Sequence, residues 1–228
     1  MKTYRECEGK MANSQMGMAS FGWRRSLLGA ALTALLLVTL AGCGSERPVK
    51  YYEINYPPPA ATADASGGGV NASILVRTFM ASHLYREDPI VYSTGPEEMG
   101  TYISHRWVEP PTEILQGAMV RGLRAAGSYK SVTNLRSDSH GDYVLVGNLY
   151  DFKEYSGNGG IFAKLNFDAS LRDTRTGKTV WSHTYNHDEP SSGKDVAGVV
   201  AAMDKNVQMS VQEIQNGLNE YFRTHNAQ

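Results

Sequence analysis

The chain has 228 residues, of which 22 are Lys or Arg and 23 are Asp or Glu, so its formal net charge at pH 7 is −1. Residues 43–228 alone carry 17 basic and 21 acidic residues, a formal charge of −4, with no basic cluster. A mildly acidic chain of this kind lacks the electrostatic surface of a nucleic-acid binder, so we exclude that class of function.

A hydrophobic segment near the N-terminus is arranged like an export signal. Its strongly apolar part, residues 27–40, is 14 residues long. A helix of that length reaches about 21 Å, short of the roughly 30 Å hydrocarbon core of a bilayer. Arg24 and Arg25 precede it and small residues end it, as in a cleaved leader. The export route, general secretory or twin-arginine, and the start methionine stay open.

Four residues at the end of this segment resemble the lipobox of bacterial lipoproteins; they are Leu40, Ala41, Gly42 and Cys43. The resemblance implies that the Cys43 thiol carries fatty acyl chains such as palmitate and that Cys43 begins the mature protein. Two or three acyl chains hold a soluble domain on a membrane, whereas one binds only marginally. The alternative is a half-buried cysteine in a core helix. Cys7 would leave with the leader, so we expect no disulfide framework.

Three segments are therefore expected: a leader with its lipobox at residues 1–42, a lipidated tether at 43–49, and one domain at 50–228. At 186 residues, the part from residue 43 onward is long enough for one hydrophobic core. Residues 44–49 reach about 20 Å when fully extended, so the domain must lie close to the membrane.

The first part of the domain is rich in strand patterns. Short runs with Ile, Val, Tyr and Phe, separated by Asp-Pro and Gly-Pro turns, predict β-strands. They are KYYEINY (50–56), SILVRTFMAS (73–82), PIVYS (89–93) and MGTYISHRW (99–107). Between the first two, a segment rich in Pro, Ala, Ser and Gly predicts a loop.

A helix is predicted to follow the last of these strands. Pro110 and Pro111 suit its first turn, Thr112 is a candidate cap, and Gly127 is expected to end it. Small and apolar residues recur at helical spacing along one face, which predicts close packing on a sheet.

Three further runs predict an antiparallel meander. They are DYVLVGNLYDFKEY, IFAKLNFDASLRD and TVWSHTYNH, joined by the turns SGNGG and TRTGK. In the middle strand, alternate residues from Ile161 to Leu171 share an apolar face, and those from Phe162 to Arg172 share a wetter one.

A long amphipathic helix is predicted at residues 194–223, with an apolar stripe at a period of 3.6 residues. The order βββ-α-βββ-α predicts an α+β fold of two layers. In this fold, two helices pack on one face of a mixed, largely antiparallel β-sheet.

Catalytic motifs are missing from the sequence. It has no GxSxG, GxxxxGK[ST] or HExxH motif and no second mature cysteine, so we expect no enzyme, no cofactor and no metal site. His183 and His187 lie about 13 Å apart on a predicted strand, too far to share one ion. Residues 138–140 read Asp-Ser-His but fall in a polar turn, where adjacent side chains point apart.

One stretch, TYISHRWVEPP at 101–111, has the composition of an interface hot spot. It contains adjacent Arg and Trp residues between other ring-bearing side chains and a rigid Pro-Pro. We therefore expect a partner-binding site at Tyr102, His105, Arg106 and Trp107. The alternative is packing at a strand end, with Trp107 buried and Arg106 paired with the glutamate at 109 or 113.

Seven segments resemble those of a known family and occur in the same order: KYYEINYPPP after the lipobox, IVYS, YISHRWVEPPTEIL, LRAAGSYKSV, DYVLVGNLYDF, ASLRDTRTGKTVWSHTY and VVAAMDKNVQMSVQEI. Together they resemble the ABC-type transport auxiliary lipoprotein family, which includes the PqiC-like lipoproteins. The most specific element is Y-x-x-H-R-W-x-x-P-P, and the resemblance spans essentially all of residues 43–228. The long leader and the GGGVNAS insert depart from the family pattern.

The resemblance implies an outer-membrane lipoprotein that faces the periplasm and is a non-catalytic auxiliary of an inner-membrane ABC or Pqi-type system. In such systems, an MCE-domain subunit forms a tube for lipids. Gly44, where retention in the inner membrane would need Asp, favours the outer membrane and leaves retention open. The family can form homo-oligomers. The alternatives are a periplasmic lipid-binding carrier and an enzyme on the same anchor; the polar face of the middle strand favours docking over carriage.

Overall fold

Strands make up 44% of the described residues, and two helices make up most of the 29% that is helical. The computed structural model describes residues 48–55, 69–157 and 159–225. Its elements, in chain order, are β1 Lys50–Tyr52, β2 Val70–Val76, β3 Met80–Ala81, a 3-10 turn His83–Tyr85, β4 Pro89–Ser93, β5 Gly100–Trp107, α1 Pro111–Ala125, β6 Tyr129–Asn134, β7 Tyr143–Gly157, β8 Gly160–Asp173, β9 Thr179–Pro190 and α2 Val196–His225.

Strand β7 is the axis of the sheet. One of its edges pairs with β8 along the whole strand, in antiparallel fashion. Its other edge pairs in parallel with β2 near Tyr143, with β3 near Asn148 and with β4 near Lys153. Strand β2 then pairs with β6, whereas β4 pairs with β5 and β5 pairs with β1. The sheet therefore has two wings beside β7: one of β2 and β6, and one of β4, β5 and β1.

The predicted fold class is confirmed. The domain is a mixed α+β structure with a curled mixed sheet and two helices. The predicted meander forms as β7, β8 and β9, and its two antiparallel ladders are the longest in the sheet. Parallel pairing is confined to the short strands that reach β7 or one another through longer connections.

The core lies between the meander and helix α2. The apolar face predicted for β8 is buried, at Ala163, Leu165, Phe167, Ala169 and Leu171. The stripe of α2 packs with it, with Val199, Met203, Val207, Val211, Ile214, Leu218 and Phe222 buried. Each large apolar side chain buried in this way contributes about 1.5–3 kcal/mol relative to exposure. Helix α2 begins and ends two residues later than predicted.

Helix α1 begins with proline rather than with a capping side chain. Pro110 is the N-cap residue and its carbonyl accepts hydrogen bonds from the N–H groups of Glu113 and Ile114. The prediction that Thr112 caps the helix is wrong, because Thr112 lies inside the first turn, where it is buried. Proline suits the first helical position, since it has no N–H to satisfy there. Gly127, at φ 65°, ends the helix as predicted.

Strand β6 has no counterpart among the predicted elements. Its sequence, YKSVTN, is mostly polar and only Val132 is buried. It pairs with β2 alone, so it is an edge strand with a solvated face and edge. A strand of this kind lacks the hydrophobic alternation that sequence patterns detect.

Candidate functional site

The predicted partner-binding segment lies in an irregular part of strand β5. Pro89 of β4 faces Arg106, whereas Val91 faces Thr101, so residues 102–105 stand against Ile90 alone. This is a wide interruption of the ladder, which we call the β5 bulge (residues 102–105). Bulges redirect side chains that a regular strand would alternate between its two faces. The bulge therefore decides which of the predicted residues can meet a partner.

Two rings of the bulge lie in a row of aromatic side chains. Tyr52 of β1 stacks on His105, with ring centroids 5.7 Å apart. The His105 ring meets Tyr102 edge-on at 5.5 Å, and Tyr102 meets Tyr92 of β4 at 5.0 Å. Such contacts add about 0.5–1.5 kcal/mol each beyond the area they bury. The row ties three strands together and keeps the two bulge rings half-buried.

A buried carboxylate lies at the end of this row. Glu154 of β7 is buried, and it accepts hydrogen bonds from the Tyr102 hydroxyl at 2.8 Å and from the Ser156 hydroxyl at 3.1 Å. Burial raises the pKa of Tyr102 above its ordinary value, and the hydrogen bond to Glu154 raises it further. The phenol therefore keeps its proton at neutral pH and holds the bulge to β7.

The other two predicted residues lie just beyond the bulge and differ in exposure. The Arg106 guanidinium donates to Asp88 at 2.7 Å in a partly exposed ion pair. The pairing with residue 109 or 113 that the alternative interpretation supposed is not present, because Asp88 at the start of β4 is the nearer acid. Trp107 is only 1% exposed and packs edge-on against Phe152. A partner could not reach it in this conformation.

The family of the chain follows from the match of its sequence. The ABC-type transport auxiliary lipoprotein component family matches residues 52–215. The chain belongs to this family. Members of the family are auxiliary components of ABC-type transport, and a lipoprotein of this kind is membrane-anchored and faces the periplasm. No curated protein shows significant similarity to the chain.

Solved structures share the fold of this chain. Protein XCC0632 from Xanthomonas campestris superposes with a TM-score of 0.70 at 21% identity, over 79% of this chain and 100% of that chain. An uncharacterized protein superposes with a TM-score of 0.57 at 14% identity, over 75% of this chain and 99% of that chain. At these identities, the similarity shows the fold alone.

The polar clusters noted in the sequence have structural partners. His183 contacts Glu213 and His187 contacts Glu189, so each histidine has its own carboxylate. In the described part of the chain, no three His, Cys, Asp or Glu side chains are placed to hold a metal ion. The Ser139 hydroxyl accepts a hydrogen bond from the Arg136 N–H, which makes it part of a turn.

The predicted lipidation site lies outside the part of the chain that the structure describes. Leu40, Ala41, Gly42 and Cys43 lie outside the described residues, as does the predicted leader. Within residues 48–55, 69–157 and 159–225, no helix has both the length and the hydropathy to cross a membrane.

Sequence patterns missed the other members of the site. Tyr52, Tyr92 and Glu154 join it from three neighbouring strands, and Ile103 projects from the bulge with 91% of its surface exposed. Glu154 faces Tyr102 because Tyr150 is an extra residue in β7, which reverses the alternation beyond it. Neither irregularity has a signal in the sequence.

Proposed function

We propose that this protein is a lipid-anchored docking subunit of an ABC/MCE or Pqi-type lipid transport system. Cys43 carries the acyl chains, and the domain faces the periplasm from the outer membrane. Its partner is a periplasmic MCE-domain protein connected to the inner-membrane components, and the domain itself performs no catalysis. The observation that carries the proposal is the family match over residues 52–215.

The structure supports docking at strand β5. A protein interface needs a few rigid anchors, because ordering mobile side chains on binding costs free energy. Tyr102 and His105 are held by their ring contacts, and Arg106 is positioned by Asp88. Trp107 fixes the end of the strand from the core side. In this proposal, Tyr102, His105 and Arg106 contact the partner, and the buried Trp107 keeps the strand in place.

Carriage of a lipid by the domain itself is less well supported. The face of β8 that points away from the helices carries Lys164, Asp168 and Arg172. Lys164 pairs with Asp188 and Asp168 accepts hydrogen bonds from the Asn148 side chain, so this face is polar and satisfied. A phospholipid found by mass spectrometry in the purified native protein would overturn our preference for docking.

Crosslinking in intact cells, followed by mild detergent extraction, tests the proposal. We expect the wild type to be recovered with an MCE-domain protein, and Cys43→Ala to move from the membrane to the soluble fraction. We expect Arg106→Glu to remain on the membrane and lose the crosslinked partner. Lys178→Glu reverses an exposed charge in the β8–β9 turn and is the matched control. Recovery of the anchored wild type without any MCE-domain protein would contradict the proposal.

A further inference from the structure

Exposed apolar side chains are concentrated at one edge of the sheet. The large apolar residues exposed in the described part of the chain are Val49, Tyr51, Met80, Met99, Ile103, Val108 and Tyr150. Four of these lie on or directly beside the β1–β5 pair, and we call them the edge patch: Val49, Tyr51, Ile103 and Val108. Ile103 is 91% exposed and Tyr51 62% exposed. Isolated exposed apolar residues are ordinary, but a group of them marks a contact surface.

The strand register brings the edge patch together. Lys50 faces His105 and Tyr51 faces Arg106, which puts Val49 beside the bulge residue that follows Ile103. At the other end, the N–H of Val108 donates to the carbonyl of Tyr52 at 2.9 Å. Neighbouring strands lie about 4.8 Å apart, so the four residues form one strip along the sheet edge.

The fold does not account for this strip. Strand β1 is at the end of the sheet, and proteins commonly protect such edges with charged residues, prolines or covering segments. Here the most exposed of the large apolar residues is Ile103, which projects from the β5 bulge. The neighbouring bulge residues Tyr102 and His105 pack in the aromatic row, whereas Ile103 stays outside it. We therefore expect this exposed apolar surface to contact a protein or a membrane.

The position of the tether decides between these two occupants. Only residues 44–49 separate Cys43 from the start of β1, and they reach about 20 Å at full extension. If Cys43 is acylated, Val49 therefore lies within about 20 Å of the lipid surface, and the rest of the edge patch lies beside Val49 on the β1–β5 pair. A partner protein is under no such constraint. The inference thus rests on the anchor in the proposed function.

We propose that the edge patch lies on the membrane, with Ile103 and Tyr51 in the lipid headgroup region. Isoleucine gains by leaving water at the acyl boundary, and tyrosine is favoured at headgroup depth, where its ring is buried and its hydroxyl stays wet. The contact would orient the domain on the bilayer and place Arg106, beside Tyr51, at the border of the membrane contact.

A fluorophore at position 103 tests the contact. Because the mature chain has Cys43 as its only cysteine, Ile103→Cys adds the only free thiol in an acylated protein. The full-length, processed lipoprotein would be labelled with an environment-sensitive dye and placed in phosphatidylethanolamine–phosphatidylglycerol vesicles. Some vesicles would contain acyl-brominated lipid. Lys178→Cys, at the exposed turn between β8 and β9, is the matched control. At 91% exposure, replacement of Ile103 removes no core contact.

The outcomes separate the membrane contact from the anchor. We expect brominated lipid to quench most of the emission at position 103 and to leave the emission at 178 unchanged, in protein that floats with the vesicles. Flotation with unquenched emission at 103 would overturn the membrane contact and leave the anchor intact. A dye at position 103 that is shielded from iodide but not quenched by brominated lipid would mean that a protein covers the edge patch. That result would also overturn the membrane contact. Protein that does not float would overturn both.

Discussion

Asn206 shows how a buried polar side chain joins a helix to the sheet. It lies on the stripe of α2 that faces the meander and is 0% exposed. Its amide nitrogen donates to the carbonyls of Ala163, at 2.9 Å, and His187, at 3.0 Å. Its side-chain oxygen accepts a hydrogen bond from the Tyr185 hydroxyl at 2.7 Å. Asn206 therefore contacts both β8 and β9, which an apolar residue could not hold in the same register.

Replacing this side chain should be costly. We expect Asn206→Ala to lower the free energy of unfolding by about 3 kcal/mol, because three buried hydrogen bonds are lost and a small cavity is left. Urea unfolding measures the effect as a lower midpoint at an unchanged slope. Tyr185→Phe, which removes a single hydroxyl, should cost about 1 kcal/mol. Equal losses in the two variants would show that the amide is not the centre of this network.

Glu189 of β9 also joins the sheet to α2, through an ion pair with Lys205. Its side chain is 10% exposed and contacts Lys205 of α2 and His187 of its own strand. The Lys205 ammonium, by hydrogen bonding, lowers the pKa of Glu189 below its ordinary value of 4.5, and His187 acts in the same direction. Desolvation opposes these effects without cancelling them.

This shift predicts a pH dependence of stability. Since the folded pKa is depressed, the carboxylate contributes stability that is fully present above pH 4.5 and is lost as the pH falls through the lower, folded value. We expect the difference in urea midpoint between the wild type and Glu189→Gln to be constant near neutral pH and to shrink below pH 4.5. A difference that grows on acidification would contradict the assignment.

At the scale of elements, irregular strands shape the sheet around the site. The β5 bulge lifts Ile103 from the edge, and the extra residue Tyr150 in β7 turns Glu154 toward Tyr102. Elsewhere in β7, Gly147 allows a close approach between β7 and its neighbours. A Cβ atom there would lie 2.1 Å from the carbonyl oxygen of Asp168 and 2.5 Å from the Phe79 ring. A carbonyl in a strand ladder cannot move aside cheaply.

Gly147→Ala should therefore damage the meander. We expect a loss of about 3 kcal/mol or more in the free energy of unfolding, because the added methyl group forces β7 and β8 apart. Thermal unfolding followed by circular dichroism measures this loss. Gly95→Ala is the matched control, since a Cβ atom at Gly95 meets nothing within 4 Å. If both variants melt together with the wild type, the close approach at Gly147 is not required.

At the scale of the whole molecule, β7 connects the two wings of the sheet to β8 and β9. It pairs with β8 on one side and with β2, β3 and β4 on the other. The wing of β4, β5 and β1, which carries the proposed docking and membrane contacts, thus shares β7 with the meander that packs on α2. The site is consequently supported by the same core that holds the helices.

This connection predicts cooperative unfolding. After removal of the leader, the two tryptophans are Trp107 in β5, in one wing of the sheet, and Trp181 in β9, in the meander. We expect Trp181→Phe, which leaves the Trp107 probe, to show the same urea midpoint by fluorescence and by far-ultraviolet circular dichroism. Trp107→Phe should have a lower midpoint, since it removes a buried ring, but its two probes should also coincide. Separate transitions would mean that the wing of β4, β5 and β1 unfolds independently of the meander.

Local patterns were sufficient for much of the fold. The meander, both helices, the stop at Gly127 and the buried face of β8 were predicted because residue alternation and helical periodicity are properties of consecutive residues. The family, too, could be identified from the order of short segments, of which Y-x-x-H-R-W-x-x-P-P was the most specific. The anchor at Cys43 remains a prediction of the sequence.

Only the tertiary structure decided how the site is assembled. The polar edge strand β6, the Arg106–Asp88 pair, the burial of Glu154 and the exposure of Ile103 depend on which strands become neighbours and in which register. A bulge moves every following side chain to the other face, yet the residues within it look like an ordinary strand. Register comes from packing between distant segments, so no reading of consecutive residues could reveal it.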